Sequence, residues 1–284
     1  MQVLSIQSSV AYGHAGNNAA VFPLQRLGIE VWPVNTVAFS NHTGYGAWRG
    51  PVHPVADVTE VLAGVADRGV YPQLDAVLSG YQGAAEVGGA ILEAVEAVRA
   101  VNPGAVYCAD PVMGDRGRGM YVRPGIPEFM RDVVLPRADI TTPNQYELEF
   151  ITGLQVGSIE DLLVAIDDVR ARGPKVVLVT SVELPELPPD KISMVAADDS
   201  GAWLVTTPKL DIAAVAGSGD MTTALFLGHR LRAGGLGDAL ARVASSVFGV
   251  IEQTALAGSR EMEIIAAQEH IANPRCEFVA SQVR

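Results

Sequence analysis

Along the chain, short apolar runs alternate with longer stretches whose apolar residues recur at helical spacing. Runs at 3–6, 30–36, 76–79, 106–109, 139–141, 176–180, 193–196 and 203–206 predict strands. Amphipathic stretches at 16–27, 57–67, 84–101, 144–152, 158–172, 220–233 and 238–255 predict helices. Several runs end in small or polar residues just before a turn, as strands feeding helices do. The expected fold class is therefore α/β, with a central, mostly parallel sheet covered by helices on both faces. Pro23 falls inside the first helical pattern and predicts a kink there. The run Pro185-Glu186-Leu187-Pro188-Pro189 predicts a surface loop between two strands. No repeat, low-complexity tract or long linker divides the chain, so residues 1–284 read as one domain.

In a parallel sheet of this kind, ligands collect beyond the carboxyl ends of the strands. Polar residues at those ends are the first candidates for chemistry. The richest segment is Ala216-Gly217-Ser218-Gly219-Asp220-Met221-Thr222-Thr223-Ala224, a glycine turn running straight into a helix of small residues. Its glycines let several backbone N–H groups face one point, and the helix adds the positive end of its dipole. Such a hole suits a phosphoryl group that is gathering negative charge. A carboxylate at its lip would oppose an anion unless it had its own task. For Asp220 that task is to accept a proton from an attacking hydroxyl. The plainer use of Asp at this point is as a helix N-cap.

Three further segments sit at predicted strand ends. Asp110, in Asp110-Pro111-Val112-Met113-Gly114, can hold Mg²⁺ through water or orient phosphates, or simply satisfy a turn. In Thr142-Pro143-Asn144-Gln145-Tyr146-Glu147, Asn144 and Glu147 form a capping-box pattern, with Glu147 beside Mg²⁺ as the functional alternative. After the first strand, the run from Ser8 through Tyr12, His14 and Asn17 offers the donors that a small polar substrate needs. The run from Ser40 to Gly46 is similarly rich in polar groups, and either closes over a ligand or is an exposed loop. No Walker A sequence is present, which excludes a P-loop site.

Composition narrows the partners. With 49% hydrophobic residues the chain can bury a sizeable core. Lys and Arg total 20 against 32 Asp and Glu, a formal charge of −12, which argues against nucleic acid as partner but not against a small anion such as ATP. Cys108 and Cys276 are too few and too far apart for a disulfide framework or a metal site. The N-terminus lacks the pattern of a signal peptide and no apolar run is long enough to span a bilayer, so a cytoplasmic protein with no membrane partner is expected.

Taken together, these segments resemble the pyridoxal kinase family of the ribokinase-like superfamily. The resemblance rests on Gln7-Ser8 with Tyr12–Asn17, on Phe39-Ser40-Asn41-His42-Thr43 with Tyr45-Gly46, and on Leu78-Ser79-Gly80-Tyr81. It continues through Asp110–Gly114, Thr142-Pro143-Asn144 with Glu147, and Gly217-Ser218-Gly219-Asp220, in the family's order and over nearly the whole chain. Gly-x-Gly-Asp marks the superfamily, whereas the 40–43 and 79–81 runs mark the pyridoxal branch.

The resemblance implies a ribokinase-like three-layer sandwich. It also implies transfer of the ATP γ-phosphate to the 5′-hydroxyl of pyridoxal, and of pyridoxine and pyridoxamine, with Mg²⁺ and a monovalent cation such as K⁺. By position, Asp220 is the catalytic base, and the backbone of Gly217, Ser218 and Gly219 is the anion hole. Ser8, Thr43, Gly44 and Tyr81 meet the pyridine substrate. Asp110, Thr142, Glu147 and Thr180 fall on the nucleotide and cation side, with Asp110 and Glu147 at the metal. Thr207, Pro208, Lys209 and Leu210 lie along ATP. Residues 114–121 correspond to a flap over the site, and a homodimer is the usual assembly.

Three positions depart from the pattern. Ser218 stands where Thr or Val is common, Thr180 where some relatives have Lys, and Met120 where some have Cys. A hydroxymethylpyrimidine kinase of thiamine synthesis shares the fold and the Asp chemistry, and a catalytically idle B6-binding protein shares the pocket. The 40–43 and 79–81 runs favour pyridoxal over the first. The intact Asp220 and its glycines speak against the second.

Overall fold

The computed structural model describes residues 1–212, 215–232, 234–275 and 277–284. Cys276 and the end of the 220–233 helical pattern, at Ala233, lie outside the described residues. The strands are β1 (Gln2–Tyr12), β2 (Glu30–Asn41), β3 (Ala76–Ser79), β4 (Val106–Ala109), β5 (Gly114–Asp115), β6 (Gly119–Met120), β7 (Ile140–Thr141), β8 (Val176–Val182), β9 (Lys191–Asp198), β10 (Gly201–Pro208) and β11 (Ser281–Gln282). The helices are α1 (Asn17–Arg26), α2 (Val55–Ala66), α3 (Ala85–Val101), α4 (Ile126–Phe129), α5 (Gln145–Thr152), α6 (Ile159–Arg172), α7 (Ser218–Leu231), α8 (Leu236–Leu256) and α9 (Gln268–Ala272). Each strand and helix expected from the pattern is present. The short α4, α9 and β11 and the β5–β6 ribbon are additions that carry too few residues to show a period.

One nine-stranded sheet has the order β11-β10-β9-β8-β7-β4-β3-β1-β2. Strands β2, β1, β3, β4, β7 and β8 pair in parallel, and β9, β10 and β11 add an antiparallel margin. The period of two along each strand divides the apolar side chains between two cores. Leu4, Ile6, Val77, Tyr107, Val177 and Val179 join one core, which includes residues of α2, α3, α5 and α6. Val3, Ala76, Leu78, Cys108 and Leu178 join the other, under α1, α7 and α8. Helices thus cover both faces, as expected for a parallel sheet. Helix α1 continues through Pro23, and residues 185–189 lie in the loop between β8 and β9.

The chain leaves β1 to β2 on one side and returns to β3 on the other. The carboxyl ends around β1 are therefore a topological switch point, where a crevice opens. β1 runs to Tyr12, well past the apolar run, because Ser9 to Tyr12 pair with Ala38 to Asn41 of β2 beyond an irregularity at Gln7 and Ser9. Ser8 and Ser40 are strand residues, not loop residues. Beneath them, Asn17 donates to the Val34 carbonyl at 3.0 Å and to Asn35 Oδ1 at 2.8 Å, while Ser5 donates to Asn17 Oδ1 at 2.8 Å. This buried polar group ties the start of α1 to both strands at the floor of the crevice.

Candidate active site

A cavity of about 1360 Å³ opens at these strand ends. Ser8, Thr43, Tyr81, Asp110, Thr142, Glu147, Thr180, Gly217, Ser218, Gly219 and Asp220 all line it. Residues drawn from β1 to α7 thus converge on one space, although more than 200 positions separate Ser8 from Asp220.

The glycine turn is built to measure. Gly217 has φ +82°, and a Cβ there would collide with the His14 carbonyl and come within 2.9 Å of Met262 Cε. Only glycine gives this backbone at this distance. Gly219 is different, since a Cβ there would meet no protein atom within 4 Å. The fold does not require that glycine, and the space it leaves bare faces the cavity. Helix α7 begins at Ser218, so its first-turn amides have no partner within the helix.

Asp220 is the third residue of α7, and its side chain makes no capping bond. Its Oδ2 instead accepts from the backbone amide of Gly16, at 2.8 Å. Gly16 has φ +58°, and a Cβ there would collide with Ser8. The turn between β1 and α1 therefore presses an amide onto one carboxylate oxygen and leaves the other toward the cavity. Burial raises the Asp220 pKa, and the Gly16 amide partly opposes that rise.

Asp110 follows β4 and is 5% exposed. The Thr223 hydroxyl donates to its Oδ2 at 3.0 Å, and Thr142 and Thr223 share a hydroxyl contact of 2.7 Å. Burial drives the Asp110 pKa well up, the negative charges of Glu147 and Asp220 add to the rise, and the threonine hydroxyls offset part of it. Glu147 completes a capping box with Asn144 on α5. Its oxygens also accept from the amides of Met113 at 2.8 Å and Gly114 at 3.3 Å. The capping residue also lines the cavity, so its role at the helix start does not take it away from that space. Burial pushes its pKa up to about 7 against these backbone donors. Thr180 bridges to Asn144 at the edge of the same wall.

Five expected residues do not line the cavity. Gly44 lies in the turn Thr43–Tyr45, with its amide on His42 Nδ1 at 3.1 Å. Thr207 and Pro208 end β10, paired with Ile192 and Lys191. The Lys209 ammonium pairs with Glu183 at 2.6 Å, and the Leu210 carbonyl accepts from Ile212. Among the described residues, Ile192, the partner of Thr207, is the one that reaches the lining from this corner.

The 114–121 segment is a small β5–β6 hairpin outside the main sheet. Asp115 holds its tip, accepting from the amides of Gly117 at 3.0 Å and Arg118 at 2.8 Å and pairing with the Arg118 guanidinium at 2.6 Å. Arg116 pairs with Glu149 at 3.3 Å. Arg118 also lies 3.5 Å from the point where a Gly44 Cβ would sit. The hairpin tip and the 43–45 turn therefore meet across the cavity mouth.

Sequence reasoning did not single out Thr223 or the Gly16 amide, which hold Asp110 and Asp220. Thr223 lies three residues beyond Asp220, and that i, i+3 spacing on one helix face was a usable signal. The Gly16 amide reaches Asp220 across a long sequence distance and left none.

A family model described as phosphomethylpyrimidine kinase matches residues 57–263. Curated relatives include a pyridoxal kinase PdxY of Rubrobacter xylanophilus, 55% identical over 284 residues, spanning 100% of this chain and 98% of the relative. A pyridoxal kinase PdxY of Corynebacterium diphtheriae is 53% identical over 283 residues, with both chains fully covered. Among solved structures, pyridoxal kinase of Leishmania donovani in complex with ADP and pyridoxine superposes with a TM-score of 0.92 at 25% identity, covering 100% of this chain and 99% of that one. Plasmodium falciparum PdxK with AMP-PNP and PL gives 0.88 at 26% identity, covering 100% and 99%.

Proposed function

The chain belongs to the pyridoxal kinase family of ribokinase-like fold, and on that premise we propose that it transfers the γ-phosphate of ATP to the 5′-hydroxymethyl group of pyridoxal. The observation that carries this reading is the Asp220 carboxylate, steered by the Gly16 amide and set in the first turn of α7 beside the glycine-built anion hole. A hydroxyl placed between Asp220 and that hole loses its proton to the free carboxylate oxygen as it attacks phosphorus. The amides of the 217–219 turn meet the charge that grows on the phosphoryl oxygens. Burial favours proton uptake by Asp220, while the Gly16 hydrogen bond keeps its ionised form available.

Ser8, Thr43 and Tyr81 face the acceptor, with Gly44 behind them in the turn. Asp110, Thr142, Glu147 and Thr180 face the nucleotide, with Thr207 to Leu210 flanking that side. Asp110 and Glu147 suit Mg²⁺ held partly through water. Glu147 already accepts three backbone amides, and among the described residues no group of three or more His, Cys, Asp or Glu could hold a metal. Nucleotide phosphates would complete the coordination sphere, as is usual for this ion. The crowding of Asp110 by Glu147 and Asp220 is the electrostatic argument for a cation here. When bound, Mg²⁺ neutralises phosphate charge. K⁺ is a further expected activator. Among the described residues no helix is long and apolar enough to cross a membrane.

Pyridoxine and pyridoxamine are further acceptors on this reading. The test is ADP release with pyridoxal, hydroxymethylpyrimidine and ribose in turn, with and without Mg²⁺. Turnover with pyridoxal is expected to dominate. Preferential turnover of hydroxymethylpyrimidine would assign the chain to the other activity, and no ADP release with any acceptor would make it a binding protein.

A further inference from the structure

The segment between α8 and α9 touches both the 13–14 turn and the 44–45 turn on the acceptor side, yet no motif draws attention to it. Glu261 Oε1 accepts from the Tyr45 hydroxyl at 2.6 Å, and its Oε2 accepts from the His14 amide at 3.2 Å. Gly13 packs so tightly on the same carboxylate that a Cβ there would collide with it. The Arg260 guanidinium lies 3.9 Å from the centre of the Tyr45 ring and donates to the Gly44 carbonyl at 3.0 Å. Tyr12 meets the Tyr45 ring edge-on at 6.1 Å.

These contacts start from a fixed post. Ser259 Oγ donates to the Glu261 carbonyl at 2.8 Å, and the fully buried Thr254 receives the Glu263 amide at 3.0 Å. Met262 and Ile264 are 2% and 0% exposed. The turn they hold has no such anchor, since none of Thr43 to Tyr45 is buried. Its position depends on its hydrogen bonds and on the Arg260–Tyr45 stack. The His14 carbonyl abuts Gly217, and two residues on, the Gly16 amide grips Asp220.

We propose that Glu261, assisted by Arg260, is a positioning residue of the acceptor site. It fastens the turn that carries Thr43 to the 13–16 loop that orients Asp220, and so sets the acceptor hydroxyl against the base. Glu261 does not line the cavity, so it works through Tyr45 and His14. This inference rests on the pyridoxal reading of the site, and the wild-type protein tests that reading separately.

Three measurements on Glu261→Ala and Tyr45→Phe check it. First, kcat/KM for pyridoxal falls about tenfold or more in Glu261→Ala, while KM for ATP stays within about twofold. Tyr45→Phe, which keeps the ring under Arg260, loses about threefold and adds nothing in the Glu261→Ala background. Second, ADP formed per pyridoxal phosphate rises above one, because a displaced acceptor lets water compete. A general loss of folding would lower both products together. Third, without any ligand, amide hydrogen exchange at 42–46 accelerates in Glu261→Ala. Unchanged exchange there, a product ratio that stays at one, or equal losses toward both substrates would overturn the proposal. Tyr45→Phe carries the same test if Glu261→Ala does not fold. Absence of wild-type turnover with pyridoxal would instead refute the functional reading, with hydrogen exchange still reporting on the fastening.

Discussion

Replacing Asp220 by Asn isolates the proton-accepting step. The amide oxygen can still receive the Gly16 N–H at the 2.8 Å spacing seen for Oδ2, so the side chain keeps its position. The atom that faces the acceptor changes from a carboxylate oxygen to an NH₂ donor, which cannot take a proton. Loss of a general base costs roughly 10²–10⁴-fold in rate, equivalent to about 3–5 kcal/mol of transition-state stabilisation. Binding should move the other way. Asp220 adds to the negative charge that raises the Asp110 pKa, so its removal leaves ATP affinity equal or tighter. Neutralising a buried carboxyl is also expected to leave the melting temperature unchanged or raised. The assay pairs steady-state ADP release with calorimetric titration of a non-hydrolysable ATP analogue. If Asp220 served only the helix terminus, Asn would serve equally well and turnover would survive. A loss of less than about tenfold in kcat refutes the base assignment, whatever happens to binding.

Five further outcomes are expected. Trypsin should cleave after Arg116 and Arg118, both exposed on the hairpin, quickly in the free protein and slowly with nucleotide plus pyridoxal bound; equal rates would make the segment an ordinary surface loop. Within it, Gly119→Ala should destabilise by about 1 kcal/mol, because φ is +71°, whereas Gly117→Ala should cost little stability, and both should lower kcat. Thr223→Val leaves Asp110 short of a donor and should cost about 1–3 kcal/mol by urea unfolding. His229 is held at a pKa of about 4, chiefly by burial and then by Arg232 and Arg242; its contribution is complete above the unfolded pKa of about 6.5 and is lost as pH falls toward the folded value, so wild type should lose about 2 kcal/mol more than His229→Leu between about pH 7 and pH 5. Light scattering should give a homodimer, twice the 29.9 kDa of the chain, and a monomer at micromolar concentration would refute it.

What the sequence could show was whatever repeats or lies close along the chain. The continuous apolar runs of β1 and β3 and the helical period in α3 and α8 survive as burial, so the layers were legible. The capping box of α5 spans four residues and was legible too. Asp110 and Thr142 were found because a polar residue at the end of an apolar run lands at the carboxyl edge of the sheet, wherever the strand lies. The extent of β1 was hidden, since Ser9 and Tyr12 are strand residues only because β2 pairs with them. The flap was expected as a glycine-rich cover, but its hairpin form depends on Asp115 capping its own turn. Glu261 marks the limit. It meets Tyr45 across 216 residues and His14 across 247, and a lone Glu in a run of polar residues has no local pattern. Its place is created by the return of the chain after α8 to the switch point, where it meets the 13–16 and 43–45 turns. A parallel sheet places its chemistry at strand ends that neighbouring residues can announce. The contacts that hold those ends in register come from the far end of the chain, and they become visible only when the fold closes.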